Sequence, residues 1–347
     1  MNTSSQTKLR WPAEWEPHRG TWLSWPHNEE SWPGRFETVE PAYAEMVRAI
    51  AESEIVWINV RDAEMEKQAQ GYLRQAGARG DIRFLPIPTN DAWCRDHGAI
   101  FLVGEEALLA SDWRYNAWGD KYPHELDDAV ARQMAEVLDV PWIPHDVVLE
   151  GGSIDGNGAG ALLTTESCLL NPNRNPHLNR EQIEGILRSG LGVEEILWLG
   201  DGIAGDDTDG HIDDITRFVG ERRVVTVMES DPNDENFDPL RENRERLGRF
   251  TVGGKPLDVV ELPMPPAIRY DGERVPASYA NFYITNGKIL LPGYDTATDE
   301  RARGILAELF PERTIEVIDC RDLIWGLGSF HCLTQQVPAV SGPVVRF

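Results

Sequence analysis

The sequence is poor in several features that would each mark a familiar class of function. No apolar run approaches the ~20 residues that a membrane span requires, although 41% of the 347 residues are hydrophobic and 26% are charged, a globular composition. The opening stretch, MNTSSQTKLRWPAEW, has no apolar signal-peptide core. A soluble, cytoplasmic protein with no membrane partner is therefore expected. Basic residues are scarce: 33 Lys and Arg face 58 Asp and Glu, a net charge of −25. Phosphate backbones are bound by clustered Lys and Arg, so nucleic acid is not an expected partner. A field of this sign draws in cations, and it also aids solubility. Cysteines number only four, with no C-x-x-C pair, which removes zinc ribbons and thioredoxin-type sites. Cys168 in SCLL and Cys320 in VIDC read as inert thiols on strands. Cys94 and Cys332 have polar, glycine-bearing neighbours.

Nucleotide loops are missing as well. GGKP (253–256) lacks the Ser/Thr and the upstream glycine of a phosphate-binding loop, and GNGAGA (156–161) stops short of the dinucleotide fingerprint. The acidic run DDTDGHIDD (206–214) fails the calcium-loop test. Aligning Gly210 with the loop glycine puts Gly205 at position 1 and Thr216 at position 12. A transition-metal site at His211 and Asp213 lacks a second histidine at helical spacing. Neither a metal nor a cofactor is expected.

What the sequence does contain is a recurring order. Four hairpins are read from apolar runs split by turn residues: AIFLV-GEE-ALLAS (99–111), SIDGNGAGALLTT (153–165), ITRFV-GERR-VVTVM (215–228) and ANFYI-TNG-KILLP (280–292). ELDDAVARQMAEVLD, NREQIEGILRSG and TDERARGILAELF have helical periodicity. EILWLGD, LDVVELP and IEVIDCR read as single strands. Near the start, VEPAYAEMVRAIAE leads into EIVWINV, and EMEKQAQGYLRQAG into IRFLPIP. Hairpin, helix and strand recur roughly every 50–70 residues, which suits stacked or circular modules as well as a mixed α/β sheet. Polar residues keep one place in this order. Asp96, Glu150 and His211 precede the first three hairpins, Asn281 opens the fourth, and Cys332 sits similarly in the last unit. In a circular arrangement they converge.

Each polar motif has a plain reading and a chemical one. In TNDAWCRDHG (89–98), Asp91 and Asp96 either cap turns or bind a planar cation, with Trp93 as core or as a stacking face. In LEGGSID (149–155), Glu150 precedes two glycines that permit a turn or close backbone approach. Strand alternation through HIDDITRFV would set His211 and Asp213 on one face. Cys332, in GLGSFHCLTQQ, is either a small buried residue or a nucleophile that needs its thiolate. On a strand, His331 would point away from it, so a histidine from another module such as His211 suits the base better.

Together these motifs resemble the agmatine deiminase/Porphyromonas-type peptidylarginine deiminase family, within the pentein, guanidine-modifying superfamily. The resemblance runs from about Trp11 to Pro338. It rests on TNDAWCRDHG, DWRYNAWGDKY, LEGGSID, TTESCLLNPNRNP, TDGHIDD, ASYANFYITNG and GSFHCLTQQ. It implies an α/β fold, a five-bladed propeller of ββαβ modules about a pseudo-fivefold axis, with residues 1–347 as one catalytic domain. It also implies Cys332 as nucleophile, His211 as general acid/base, Glu150 as its partner carboxylate, Asp96 and Asp213 as the guanidinium clamp, and Trp93 beside the substrate. Asp91 is the candidate for the substrate's distant ammonium. The implied activity is hydrolysis of agmatine to N-carbamoylputrescine and ammonia, with peptidyl or free arginine as the alternative substrate. An amidinotransferase and a non-catalytic polyamine binder rank lower. The expected partner is a cationic guanidino compound, and self-association into a homo-oligomer is compatible with the sequence. WGDKYPHELDD and GLGSFHC depart from the family's usual WGG and GGGNIHC.

Overall fold

A computed structural model of the protein describes residues 9–104 and 107–340. All four hairpins read from the sequence form, though the turn residues Glu105 and Glu106 lie outside the described residues. In each unit an antiparallel pair is followed by a third strand that lies parallel to the second. The first unit pairs Ile100–Val103 with Leu108–Arg114, and the latter with Trp142–Val148. The second uses Ile154–Gly156, Ala161–Thr165 and Glu195–Leu199. The third uses Thr216–Gly220, Arg223–Met228 and Asp258–Pro263. The fourth uses Tyr283–Ile284, Lys288–Gly293 and Thr314–Asp319. A helix bridges the parallel strands of each: Val130–Leu138, Arg180–Leu191, Phe237–Leu247 and Ala297–Leu309. Parallel strands need such a crossover, which explains the spacing of the repeat.

The fifth unit is assembled from both ends of the described chain. Gln335–Pro338 pairs antiparallel with His18–Ser24, which runs parallel to Ile55–Asn59 across the helix Phe36–Ala51. The helix Ala63–Gln75 then adds Ile82–Leu85 as a fourth strand. Groups ahead of the first strand of each unit, the Gly152 backbone N–H in the second, touch neighbours from other units, as the circular reading requires.

One element was not read and two local expectations fail. The helix Phe237–Leu247 was not legible, because only Leu240, Asn243 and Leu247 of its residues are buried and the rest is mostly charged. Cys168 lies in the helical turn Glu166–Leu169, not on a strand. Cys320 lies just past the strand Thr314–Asp319; both thiols are buried.

Candidate active site

The polar residues sit on short turns. Asp96 is in the turn Cys94–His97, Glu150 immediately precedes Gly151–Ser153, Asp213 is in Ile212–Asp214, and Cys332 is in Phe330–Leu333. The strand alternation expected for His211 and Asp213, and for His331 and Cys332, is therefore absent. In one helical turn, adjacent side chains diverge by about 100° rather than 180°, and tertiary contacts select the pairs that meet.

Gly152 is the reason three of these groups pack together. A Cβ there would lie 2.6 Å from His211 Nδ1, 2.8 Å from Asp96 Oδ1 and 3.1 Å from Asp213 Oδ2. The Gly-Gly motif thus provides close approach, and neither glycine needs a positive φ. Asp96 accepts from Gly152 N (2.9 Å) through Oδ1 and from Trp118 Nε1 (3.0 Å) through Oδ2, while His211 Nδ1 lies 3.7 Å from Oδ1.

Asn281 anchors the cysteine. Its Nδ2 lies 3.0 Å from Cys332 Sγ, and its Oδ1 accepts from Ser329 Oγ (2.8 Å) and His331 N (3.1 Å). Asp213 Oδ2 is 3.6 Å from Cys332 Sγ and 2.7 Å from His331 Nδ1. Asp213 Oδ1, Glu150 Oε2 and both ring nitrogens of His211 are buried without a hydrogen-bond partner. Buried polar atoms are rarely left this way, and a cluster of them marks a place prepared for something else.

Electrostatics set the resting protonation. Burial pushes the Cys332 thiol well above its usual range, and the Asp213, Asp214 and Asp96 carboxylates push it further, against the Asn281 bond. Burial works against a charged His211, but Asp96, Cys168 and Asp213 outweigh it and hold the imidazolium well above its ordinary range. Burial raises Asp96, an effect that His211 opposes. At Asp213, burial also acts upward, but the His331 bond and the charges of His331, His211 and Arg217 hold the carboxyl below its usual range. The site thus pairs a thiol with an imidazolium, and an arriving cation would shift that balance toward thiolate.

Glu150 is less directly tied to His211 than expected. Its Oε1 accepts from Arg174 Nε (2.6 Å), and no hydrogen bond joins it to His211. The two side chains and Cys168 do lie close, with one polar or sulfur atom of each within 4.8 Å of the others. With Oε1 committed to an arginine, this grouping reads as an ionic pair beside a thiol.

Two residues were missed as individuals. Arg174, inside the quoted NPNRNP, is buried and also donates to Trp118 O (3.0 Å), Thr208 O (2.7 Å) and Asp209 Oδ2 (2.5 Å), tying Glu150 to two loops. Glu14 joins Arg95, Arg217 and His331. An unpaired acid among tryptophans in RWPAEW gave the only hint.

A cavity of about 550 Å³ ends on Asp96 and Cys332. Trp93, Tyr115, Trp118, Trp325 and Leu327 form much of its wall, and Glu30, Asp91, Asp127, Asp207 and Glu273 add carboxylates. Trp93 stacks on Trp32 at 5.4 Å between centroids and also lines the cavity. Asp91 accepts from Asn28 Nδ2 (3.1 Å), Ser31 Oγ and Ala92 N (2.7 Å), and burial raises its carboxyl.

Known proteins are similar to this chain along nearly its whole length. An agmatine deiminase of Pseudomonas aeruginosa (strain LESB58) is 38% identical over 365 residues, covering 95% of this chain and 96% of that one. The structure of the agmatine deiminase of Enterococcus faecalis superposes with a TM-score of 0.90 at 32% identity, covering 97% of this chain and 99% of that one. A C. jejuni agmatine deiminase solved with substrate bound gives 0.88 at 33% identity, covering 97% and 98%. Residues 10–338 match the Porphyromonas-type peptidyl-arginine deiminase family. The chain belongs to that family and is a hydrolase acting on C–N bonds of guanidino groups.

Proposed function

We propose that the protein is an agmatine deiminase, releasing ammonia and leaving N-carbamoylputrescine, with the chain acting as one catalytic domain in the cytoplasm as part of polyamine metabolism. The observation that carries this reading is the contact between Cys332, which lines an acid-rich cavity, and Asp213, a buried carboxylate whose second oxygen has no partner. Guanidinium is planar and cationic, and two carboxylates can take its N–H donors in pairs and fix its plane. Asp96 and Asp213 are assigned this clamp, with Trp93 beside the plane.

The chemistry then follows. The substrate's charge favours loss of the Cys332 proton to solvent, and the thiolate sulfur so formed bonds to the guanidinium carbon to give a tetrahedral adduct. The carbon–nitrogen bond breaks as His211 gives its proton to the departing nitrogen, which leaves as ammonia. A thiouronium stays on Cys332. Neutral His211 takes a proton from water and the resulting hydroxide adds to the thiouronium carbon; the carbon–sulfur bond then breaks to return the thiolate, and the new hydroxyl loses its proton to solvent to leave a ureido group. Glu150 helps keep His211 protonated for the first half.

The cavity's acids favour a dication over arginine. Arg274 is the only Lys or Arg among the lining residues, and it is paired with Asp234 at 2.7 Å. Arginine's α-carboxylate would meet Asp91, Asp127 and Glu30 without a free cation. Asp127 already faces His97, with Nδ1 and Oδ2 3.6 Å apart, and among the remaining cavity acids Asp91 is assigned as the seat for agmatine's ammonium. Ureido and ammonia assays over agmatine, arginine and an internal-arginine peptide test this. Agmatine is expected to lead in kcat/KM, and preference for either arginine substrate would reject the assignment.

A further inference from the structure

Glu14 and His331 take no part in the steps above, yet they stand directly behind the clamp. Glu14 is 6% exposed and lies just ahead of the strand His18–Ser24. Its Oε2 accepts from Arg217 (2.8 Å) and Arg95 (3.4 Å) and lies 2.9 Å from His331 Nε2, while Oε1 accepts from Ile284 N (2.8 Å). The opposite edge of the same ring presents Nδ1 to Asp213 Oδ2 at 2.7 Å. An ionised carboxylate only accepts, so a ring held between two of them must donate from both nitrogens, which is the imidazolium form. The turn that carries the ring is itself fixed: His331 N donates to Asn281 Oδ1 (3.1 Å), and His331 O accepts from Arg95 Nε (3.3 Å).

We infer that Glu14 and His331 form a positioning pair, in which a buried imidazolium locks Asp213 Oδ2 and so presents the unpartnered Oδ1, ionised, to the guanidinium. The inference rests on the reading of Asp213 as a clamp acid. It gives Oδ2 a structural duty and Oδ1 the ligand, which accounts for one oxygen being bonded and the other bare in the same buried carboxylate. Asp213 also faces His211 and Arg217 as cations, Asp214 and Asp96 as acids, and the Cys332 thiol. Glu14 faces Arg95, Arg217 and His331. Without His331's charge, the acids dominate around Asp213 and its proton affinity rises.

Glu14→Gln and His331→Asn test the pair by steady-state kinetics with agmatine. Asparagine keeps an N–H near the Nδ1 position but carries no charge and does not reach Glu14. In both variants KM is expected to rise about 10-fold with kcat within about 3-fold, the pattern of lost cation binding. The acid limb of kcat/KM is expected to move toward neutral pH, because a carboxyl that loses a cationic neighbour titrates higher. A role in packing alone would lower the melting temperature and leave the pH limb in place. Nitrogen NMR of histidine-labelled wild-type protein gives a reading independent of variant folding: both His331 ring nitrogens are expected to be protonated at pH 7. A neutral ring there, or an unmoved KM and acid limb in a folded variant, overturns the inference. Wild-type protein that turns over no guanidine, or a Cys332→Ser variant that keeps its rate, would instead reject the functional assignment beneath it.

Discussion

The floor of the cavity and its rim are built on opposite principles. At the floor, Cys332, Asp213, His331 and Asn281 are buried and cross-linked, each side chain held by partners from other units. The backbone there is relaxed. At the rim, Ala117, Trp118, Gly119 and Asp120 follow one another with φ of 47°, 57°, 102° and 59°, and Leu327 has φ 70°. Left-handed backbone costs about 1–2 kcal/mol for each non-glycine residue. The rim is held in place by surface ties: Lys121 reaches Asp207 and Asp209, and Tyr122 OH donates to Asp207 Oδ2 (2.7 Å). The strained rim coincides with the two segments that the family resemblance marks as divergent. WGDKYPHELDD and GLGSF both form rim, and the change falls on the wall that meets the far part of a substrate rather than on the reacting carbon. Strain of this kind gathers at functional surfaces when the surroundings over-determine it.

Substitutions can break or sharpen this division. The largest effect is expected at the floor: Cys332→Ser should lose at least ~10³-fold in turnover while still binding agmatine, measured by ammonia release and calorimetry. Asp213→Asn comes next, with affinity for the cation down about 10²-fold, as expected when one partner of a buried charge pair is removed. Equal affinity in the Cys332→Ser background with and without this change would show that the clamp lies elsewhere. At the rim, Asp91→Asn should raise KM for agmatine about 10-fold and leave an alkylguanidine without an ammonium nearly unchanged, since only the former carries the second charge. Equal effects on both compounds would remove Asp91 from substrate recognition.

The smallest effect concerns pH. Burial would lower the His97 ring, but Asp127 raises it to about 10. A group raised in the folded state adds stability that is complete below its unfolded value near 6.5. That contribution is lost as pH climbs through the folded value. Melting temperature should therefore decline between pH 7 and 10, and the decline should be shallower in His97→Gln. Parallel curves would detach the His97–Asp127 pair from the stability of the wall.

Much of the architecture was open to reading. Hairpins announce themselves through apolar runs broken by turn residues, and the crossover helices Arg180–Leu191 and Ala297–Leu309 appeared where their periodicity placed them. Phe237–Leu247 stayed hidden because two buried leucines leave too thin an apolar stripe among charges. At the site, Asp96, His211, Asp213 and Cys332 do come together, but the hydrogen bonds among them and their neighbours differ from those the sequence suggested. His331 was set aside on the assumption of a strand, yet in a single helical turn it reaches Asp213. Arg174 lay within a quoted motif without a role, and Glu14 went unnoticed.

By itself the sequence determined the modules and which residue types stand ahead of each hairpin, because both follow from local periodicity and turn chemistry. Only the tertiary structure decided which atoms meet. Closing the fifth unit with Gln335–Pro338 against His18–Ser24 brings Glu14 to His331, 317 residues away in sequence. Hydrogen bonds, burial and charge act over a few ångströms, and no local pattern encodes a distance of that kind across five units.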